Sequence, residues 1–128
     1  MTLLTINPEQ EILTTPDSHD PTLGVVSIGG QYVASHRTKE YCEAVEEDLE
    51  LVQACSIHLG GYTLTKNATL HHVESGNEIW LNALDEDGVK QQGVLLYDGI
   101  EAADTEVVLK AIERTITRLQ VIADGRHQ

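Results

Sequence analysis

Apolar and polar residues recur with helical or strand periodicity along most of the chain from Leu23 onward. Two β-prone runs, 23–28 and 31–35, flank Gly29-Gly30, a pair able to take the positive φ values of a two-residue hairpin turn. Residues from Thr38 to about Gln53 then follow helical spacing, with Thr38 as the candidate N-cap. The pattern therefore predicts a β-hairpin followed by a helix.

The apolar face predicted for this first helix consists of Tyr41, Val45, Leu49 and Val52. Its end is ambiguous, because residues 54–59 fit either a continued helix up to Gly60-Gly61 or a strand in which alternate residues face the same side. We favour a helix that ends in the middle fifties. The last helix is predicted from near Asp104 to Gly125, with an apolar face of Val108, Ala111, Ile112, Ile116, Leu119 and Ile122.

Between the helices the chain has the pattern of a meander of short strands. We predict strands over 62–65, 68–74, 78–84 and 89–97, the last of them weakened or bulged around Gly93. A hairpin, a helix, three or four strands and a closing helix indicate an α+β fold, with an antiparallel sheet of about five strands and two helices packed on one face.

The first 22 residues differ from the rest of the chain. They contain all three prolines and neither Lys nor Arg, and their apolar residues Leu3, Leu4 and Ile6 predict a short edge strand followed by a turn-rich connector. We therefore expect an extended, proline-broken segment at 1–22, a single α+β domain at 23–125 and a tail at 126–128.

Composition narrows the classes of function. The 128 residues carry a formal charge of -13, with 21 acidic and 8 basic side chains. Such a field repels phosphate groups, so direct binding to nucleic acid or to an anionic membrane is disfavoured, and a basic protein is the favoured charged partner. No apolar run is long enough to cross a membrane, and the N-terminus lacks the pattern of an export signal, so a cytoplasmic location is expected.

The acidic residues are concentrated in the first helix. Residues 40–50 hold six of the 21 acids and no base, whereas the bases Lys110, Arg114 and Arg118 balance the acids of the last helix. Glutamates at i, i+3, i+4 and i+7 form a stripe opposite the apolar face and include two like-charge pairs, each destabilising by roughly 0.2 to 0.5 kcal/mol. The stripe is interpreted as a docking face for a basic partner or as a solvated surface, and consists of Glu43, Glu46, Glu47 and Glu50.

Asp48 does not belong to this stripe. It lies beside the apolar sector of the helix, where it is either a helix-edge residue or a residue that faces a partner.

Two cysteines and several histidines are candidates for chemistry. Cys42 and Cys55 on one helix lie about 20 Å apart, beyond the roughly 7 Å limit for a disulfide, so we expect reduced thiols. Cys55 and His58, followed by His71 and His72, resemble a zinc ligand set, although the two adjacent histidines of a strand point to opposite faces and only one could join. No catalytic signature is present, so neither an enzyme nor a cofactor is predicted.

The order of elements looks like the Roadblock/dynein light-chain fold and the related longin and profilin-like layers. The resemblance covers about 23–122, from the hairpin LGVVSIGGQYVAS through the helix TKEYCEAVEEDLELVQA to the closing helix TEVVLKAIERTITRLQ. It implies a homodimer with a continued sheet, which serves as a platform for a small GTPase or another switch protein and has no catalytic residues of its own.

Three functional hypotheses follow from these features. The leading one is a small acidic regulatory module that binds another protein, is a homodimer and uses the acidic helix face or a sheet edge. The second is an acidic inhibitor that mimics a nucleic-acid surface and blocks a basic protein. The third is a metal-dependent binder or enzyme that uses Cys55, His58 and either His71 or His72.

Overall fold

The computed structural model describes residues 3–57, 59–73, 77–82, 93–98 and 102–125. These residues form eight strands and two helices. In chain order they are β1 (Leu3–Ile6), β2 (Ile12–Pro16), β3 (Gly24–Ile28), β4 (Gln31–His36), α1 (Lys39–Ala54), β5 (Tyr62–Thr65), β6 (Thr69–Val73), β7 (Glu78–Asn82), β8 (Val94–Asp98) and α2 (Ala102–Ala123).

The strands are antiparallel, which confirms the α+β class, but they are divided among three sheets. One sheet has the order β2-β3-β4, a second has the order β6-β7-β8, and β1 pairs with β5 in the third. The predicted number of strands, about five in one sheet, was therefore too low. β2 lies in the predicted connector, because Pro16 lowers the strand signal of this run although the threonines before it favour a strand.

Local features of the first hairpin and helix agree with the sequence. Gly29 and Gly30 have φ of 56° and 78°, as the two-residue turn requires. Helix α1 ends at Ala54, in the middle fifties, as we expected. Tyr41, however, was predicted to be buried but is 42% exposed, and its ring stacks on that of His36 with a centroid distance of 4.3 Å. Its neighbour Cys42 is buried in its place.

Helix α2 begins two residues before the predicted start, so Asp104 lies within its first turn. The predicted apolar face is confirmed, since its members are buried except for Ile122, which packs at the edge of the core. Gly125, with φ of 73°, follows the end of the helix. In the described part of the chain, no helix combines the length and the apolar character needed to cross a membrane.

The described strands of the second sheet overlap the predicted runs. The predicted strand residues 74, 83, 84 and 89–92 lie outside the described part of the chain, and β8 extends one residue beyond the predicted end, to Asp98. The register shifts so that Ile79 is opposite Tyr97 and Trp80 is opposite Leu95, which makes Leu96 the bulged residue instead of Gly93. The bulge leaves Leu96 only 2% exposed.

Aliphatic side chains from the three sheets and both helices form one core. Helix α1 packs against β2, β3 and β4, whereas α2 packs against β4, β5, β6 and β7, and the two helices contact each other. The fully buried large side chains include Leu4, Ile6, Ile28, Leu49, Leu64, Ile79, Leu96, Ile112 and Leu119.

The N-terminal segment contributes to this core. Leu4 and Ile6 of β1 are 1% and 0% exposed and lie opposite Leu64 and Tyr62 of β5. The segment is extended, as predicted, but β1 and β2 are integral strands of two sheets. The division of the chain at residue 22 stays a prediction.

We predict that Leu4→Ala lowers the free energy of unfolding by about 2 to 5 kcal/mol, because it leaves a cavity in a closely packed core. Leu3→Ala, on the same strand but at a 42% exposed side chain, is the control and should change it by about 0.5 kcal/mol or less. Urea unfolding followed by circular dichroism measures both. Equal effects of the two substitutions would show that β1 does not pack as described.

Candidate functional site

The four glutamates of the predicted stripe lie on the outer side of α1, and we call them the acidic face: Glu43, Glu46, Glu47 and Glu50. The opposite side of the helix is buried and consists of Cys42, Val45, Asp48, Leu49 and Val52. Three members of the acidic face are exposed, and Glu46 is half-buried. The structure therefore brings the predicted residues together on one surface.

The acidic face is largely without counter-charges. Lys39 Nζ lies 3.8 Å from Glu43 Oε1, and both side chains are exposed, so this ion pair contributes little to stability. Within the described residues, Glu46, Glu47 and Glu50 form no ion pair. The face is thus a region of concentrated negative charge on an ordered helix.

Asp48 faces α2, in the same chain. Its side chain is 8% exposed, and its two carboxylate oxygens accept three hydrogen bonds from arginines. Arg114 donates from Nε to Oδ2 at 3.0 Å and from Nη2 to Oδ1 at 2.8 Å, and Arg118 donates from Nη1 to Oδ2 at 2.7 Å. The two arginines are one turn apart on α2, so both reach one carboxylate on α1.

Asp48, Arg114 and Arg118 form what we call the Asp48 cluster, which holds the Asp48 carboxylate in its charged form. Burial by itself would raise the pKa of the Asp48 carboxyl, but the hydrogen bonds and charges of Arg114 and Arg118 outweigh it and hold that pKa below its ordinary value. The sequence signal for the cluster was the position of Asp48 beside the apolar sector. Its partners were missed because they lie 66 and 70 residues further along the chain.

The cluster also changes how the surface charge is distributed. The sequence suggested that Arg114 and Arg118 balance the acids of the last helix, whereas their hydrogen bonds go to Asp48 of α1. Among the described residues, Lys110 is the one base that pairs within α2, with its Nζ 3.8 Å from Glu113 Oε2. Two of the eight basic side chains are therefore used between the helices and do not neutralise the acidic face.

A groove lies between β4, the start of α1 and the last turns of α2, and we call it the β4 groove. Its volume is about 750 Å³, and it is lined by Asp20, Leu23, Tyr32, Val33, Ala34, Ser35, His36, Arg37, Tyr41, Arg118, Val121 and Ile122. Sequence reasoning did not find it, because its two walls are formed by residues about 80 positions apart and only the packing of α2 brings them together.

Polar contacts order one wall of the β4 groove. The Tyr32 hydroxyl and Ser35 Oγ lie 2.8 Å apart, and Arg37 Nη2 lies 3.4 Å from Asp20 Oδ2. His36 Nδ1 accepts a hydrogen bond from the backbone N–H of Thr38 at 3.0 Å, at the N-cap of α1. The wall therefore presents a hydroxyl pair and a guanidinium to the groove.

Both cysteines are free and buried, as expected. Cys42 Sγ donates to the carbonyl of His36 at 3.6 Å, and Cys55 Sγ donates to that of Leu51 at 3.5 Å. Burial raises the pKa of the Cys42 thiol and raises that of Cys55 to about 11. Both are neutral thiols at pH 7, whereas a nucleophilic or metal-binding cysteine requires a thiolate.

The residues of the metal hypothesis are only partly described. His58 lies outside the described residues, and Cys55 is buried at the end of α1. His71 is exposed, whereas the Nε2 atom of His72 is buried without a hydrogen-bond partner, as expected for neighbours on a strand. Among the described residues, no three His, Cys, Asp or Glu side chains are close enough to hold a metal ion. The metal site stays a hypothesis.

Comparison of the chain with protein-family models, with curated proteins and with solved structures found no match. The Roadblock resemblance therefore stays a resemblance in the order of elements. That resemblance carries no function for this chain, so a functional argument has to come from its own surfaces.

The first prediction from this site concerns Asp48→Asn. Removing the charge should lower the free energy of unfolding at pH 7 by about 2 kcal/mol, because hydrogen bonds to charged groups are lost. Since the folded pKa lies below the unfolded one, the contribution of Asp48 is present at neutral pH and is lost as the pH falls below about 4 through the folded pKa.

Urea unfolding at pH 7 and at pH 3 measures this effect, and the difference between the two proteins should shrink in acid. Glu47→Gln, at an exposed position of the same helix, is the matched control and should change stability by about 0.5 kcal/mol or less at either pH. A variant as stable as the natural protein at pH 7 would contradict the buried ion pair.

A second prediction concerns the thiols. In the folded protein at pH 7, Cys42 and Cys55 should react with Ellman's reagent much more slowly than a free thiol does, since both are buried and neutral. Two thiols should react rapidly in guanidinium chloride, which serves as the control. Rapid reaction of either cysteine in the folded protein would contradict this arrangement.

Proposed function

We propose that this protein is a small, non-enzymatic protein-binding module that docks a basic partner through the acidic face of α1. One observation supports this most directly. Three of the four glutamates on the face have no ion pair within the described residues, while two arginines of α2 are directed at Asp48 instead. The negative charge of these three glutamates is therefore available to a basic partner.

The scaffold beneath the face supports the same proposal. Four buried apolar side chains and the Asp48 cluster hold α1 against the first sheet and α2. Carboxylates on a helix held in this way keep a defined spacing, and complementary charge then increases the association rate and the specificity of docking more than the affinity.

Two exposed apolar side chains follow the end of the same helix. Ile57 and Leu59, which follow the end of α1, are 66% and 38% exposed. A partner with a basic surface next to an apolar side chain would bury both kinds of area, and protein interfaces commonly combine an apolar centre with a polar rim.

Two finer parts of the proposal concern location and assembly. The free thiols of Cys42 and Cys55 support a reducing compartment, such as the cytoplasm. We further propose a homodimer, as the sequence suggested. Light scattering on the same preparation used for binding would give about twice the chain mass of 14.1 kDa for a dimer.

The test compares two variants that each lose four negative charges. In the first, the acidic face is neutralised by Glu43→Gln, Glu46→Gln, Glu47→Gln and Glu50→Gln. In the control, exposed glutamates elsewhere are replaced by Glu9→Gln, Glu11→Gln, Glu106→Gln and Glu113→Gln. We expect basic proteins captured from lysate to fall about tenfold or more with the first variant and little with the control, as measured by quantitative mass spectrometry.

Unchanged capture by the face variant would overturn the proposal. To separate the inhibitor hypothesis from local docking, the capture is repeated with both variants at about 0.1 and 1 M salt, between which the Debye length falls from about 10 to 3 Å. A mimic of nucleic acid uses charges over its whole surface, so the control variant would lose its partners as well. Local docking predicts loss with the face variant alone.

A further inference from the structure

The lining of the β4 groove shows that it runs along the edge of the strand. Successive side chains of a strand point to opposite faces, so a cavity on one face is lined by alternate residues. The groove is lined by six consecutive residues, 32–37. Only a cavity beside the strand contacts both sets of side chains, so the groove follows the outer edge of β4.

Among the described strands, that edge has no partner. β4 is the last strand of its sheet and pairs only with β3 among the described strands. An edge strand presents unpaired N–H and C=O groups that another strand can bind, and proteins usually cover such an edge or place Lys or Pro on it. The strand QYVASH contains neither Lys nor Pro, and the groove lies beside its edge.

The opposite wall of the groove carries positive charge. It is formed by Arg118, Val121 and Ile122 of α2. Arg118 uses Nη1 for its hydrogen bond to Asp48, and its side chain is 15% exposed, so Nε and Nη2 have no hydrogen-bond partner within the described residues. Arg37 adds a second guanidinium on the side of β4, where its Nη2 lies 3.4 Å from the Asp20 carboxylate that also lines the groove. A carboxylate is the group that complements these donors.

We propose that the β4 groove binds an extended peptide segment of a partner protein, which adds as a strand to β4 and places an acidic side chain against Arg118. Main-chain hydrogen bonds to the strand edge supply affinity in this mode of recognition, and the guanidinium supplies specificity. The apolar side chains of Val121 and Ile122 contact the alternate residues of the segment.

The dimensions and charges of the groove fit this occupant. Six residues of strand span about 20 Å at roughly 3.3 Å per residue, and the 750 Å³ volume is within the range of ordinary ligand sites. A second copy of the chain is the alternative occupant of this edge, and slow amide exchange at Ala34 and Ser35 without peptide, in a protein of twice the chain mass, would overturn the proposal. This site lies apart from the acidic face, so either proposal can fail without the other.

The test uses defined peptides. Six-residue peptides of alternating Thr and Val, acetylated and amidated at their ends, carry one Glu at each position in turn, and matched peptides carry Gln there. Binding at pH 7 is measured by fluorescence anisotropy, and amide hydrogen exchange is followed by NMR. We expect at least one Glu peptide to bind about tenfold more tightly than its Gln counterpart and to slow exchange at Ala34 or Ser35.

A pair of variants separates the groove from the stability of the fold. Arg118→Gln and Arg114→Gln each remove a hydrogen-bond donor to Asp48, but only Arg118 lines the groove. We expect Arg118→Gln to abolish the tenfold preference for Glu and Arg114→Gln to retain it, with circular dichroism confirming that both variants are folded. If Arg118→Gln is not folded, the milder Arg118→Lys replaces it, and the loss of preference is expected there too.

Several outcomes would overturn the proposal. These are equal binding of the Glu and Gln peptides, no binding of any peptide, slowed exchange at strands other than β4, or the same loss of preference in both arginine variants. Retention of the preference in Arg118→Gln would also overturn it. The acidic-face variant serves as a further control and should bind the peptides as the natural protein does.

Discussion

A single carboxylate between two helices determines the arrangement of both candidate surfaces. Asp48 of α1 accepts three hydrogen bonds from Arg114 and Arg118 of α2, and its side chain is almost entirely buried. A buried charge is tolerated only when it is paired and hydrogen-bonded, so the rotation of each helix about its axis has to bring these groups together. That rotation turns the acidic face of α1 outward and places Arg118 beside β4.

The same cluster separates charge within a strongly acidic molecule. Glu46, Glu47 and Glu50 form no ion pair within the described residues, whereas Arg118 and Arg37 line the β4 groove. One surface therefore carries carboxylates that have no ion pair among the described residues, and the other contains two guanidinium groups that each pair with a carboxylate of the same chain, although the chain as a whole carries -13.

Local interactions explain which elements the sequence predicted well. The hairpin at Gly29-Gly30, the end of α1 near Ala54 and the buried face of α2 depend on residues within a few positions of each other. The pairing of β1 with β5 joins segments far apart in the chain, so folding and not a local pattern selects the partner of β1. β2 pairs with the nearby β3, but Pro16, which cannot donate a hydrogen bond to a neighbouring strand, favours a connector at this position.

The sequence by itself determined the two helices, the hairpin and the acidic face, because apolar periodicity and charge spacing are properties of a single segment. Only the tertiary structure decided that Asp48 faces α2 and that Cys42 replaces Tyr41 in the core. It also decided that β4 and the last turns of α2 line one groove. Each of these depends on how one element is rotated and packed against another, and no pattern within one segment contains that information.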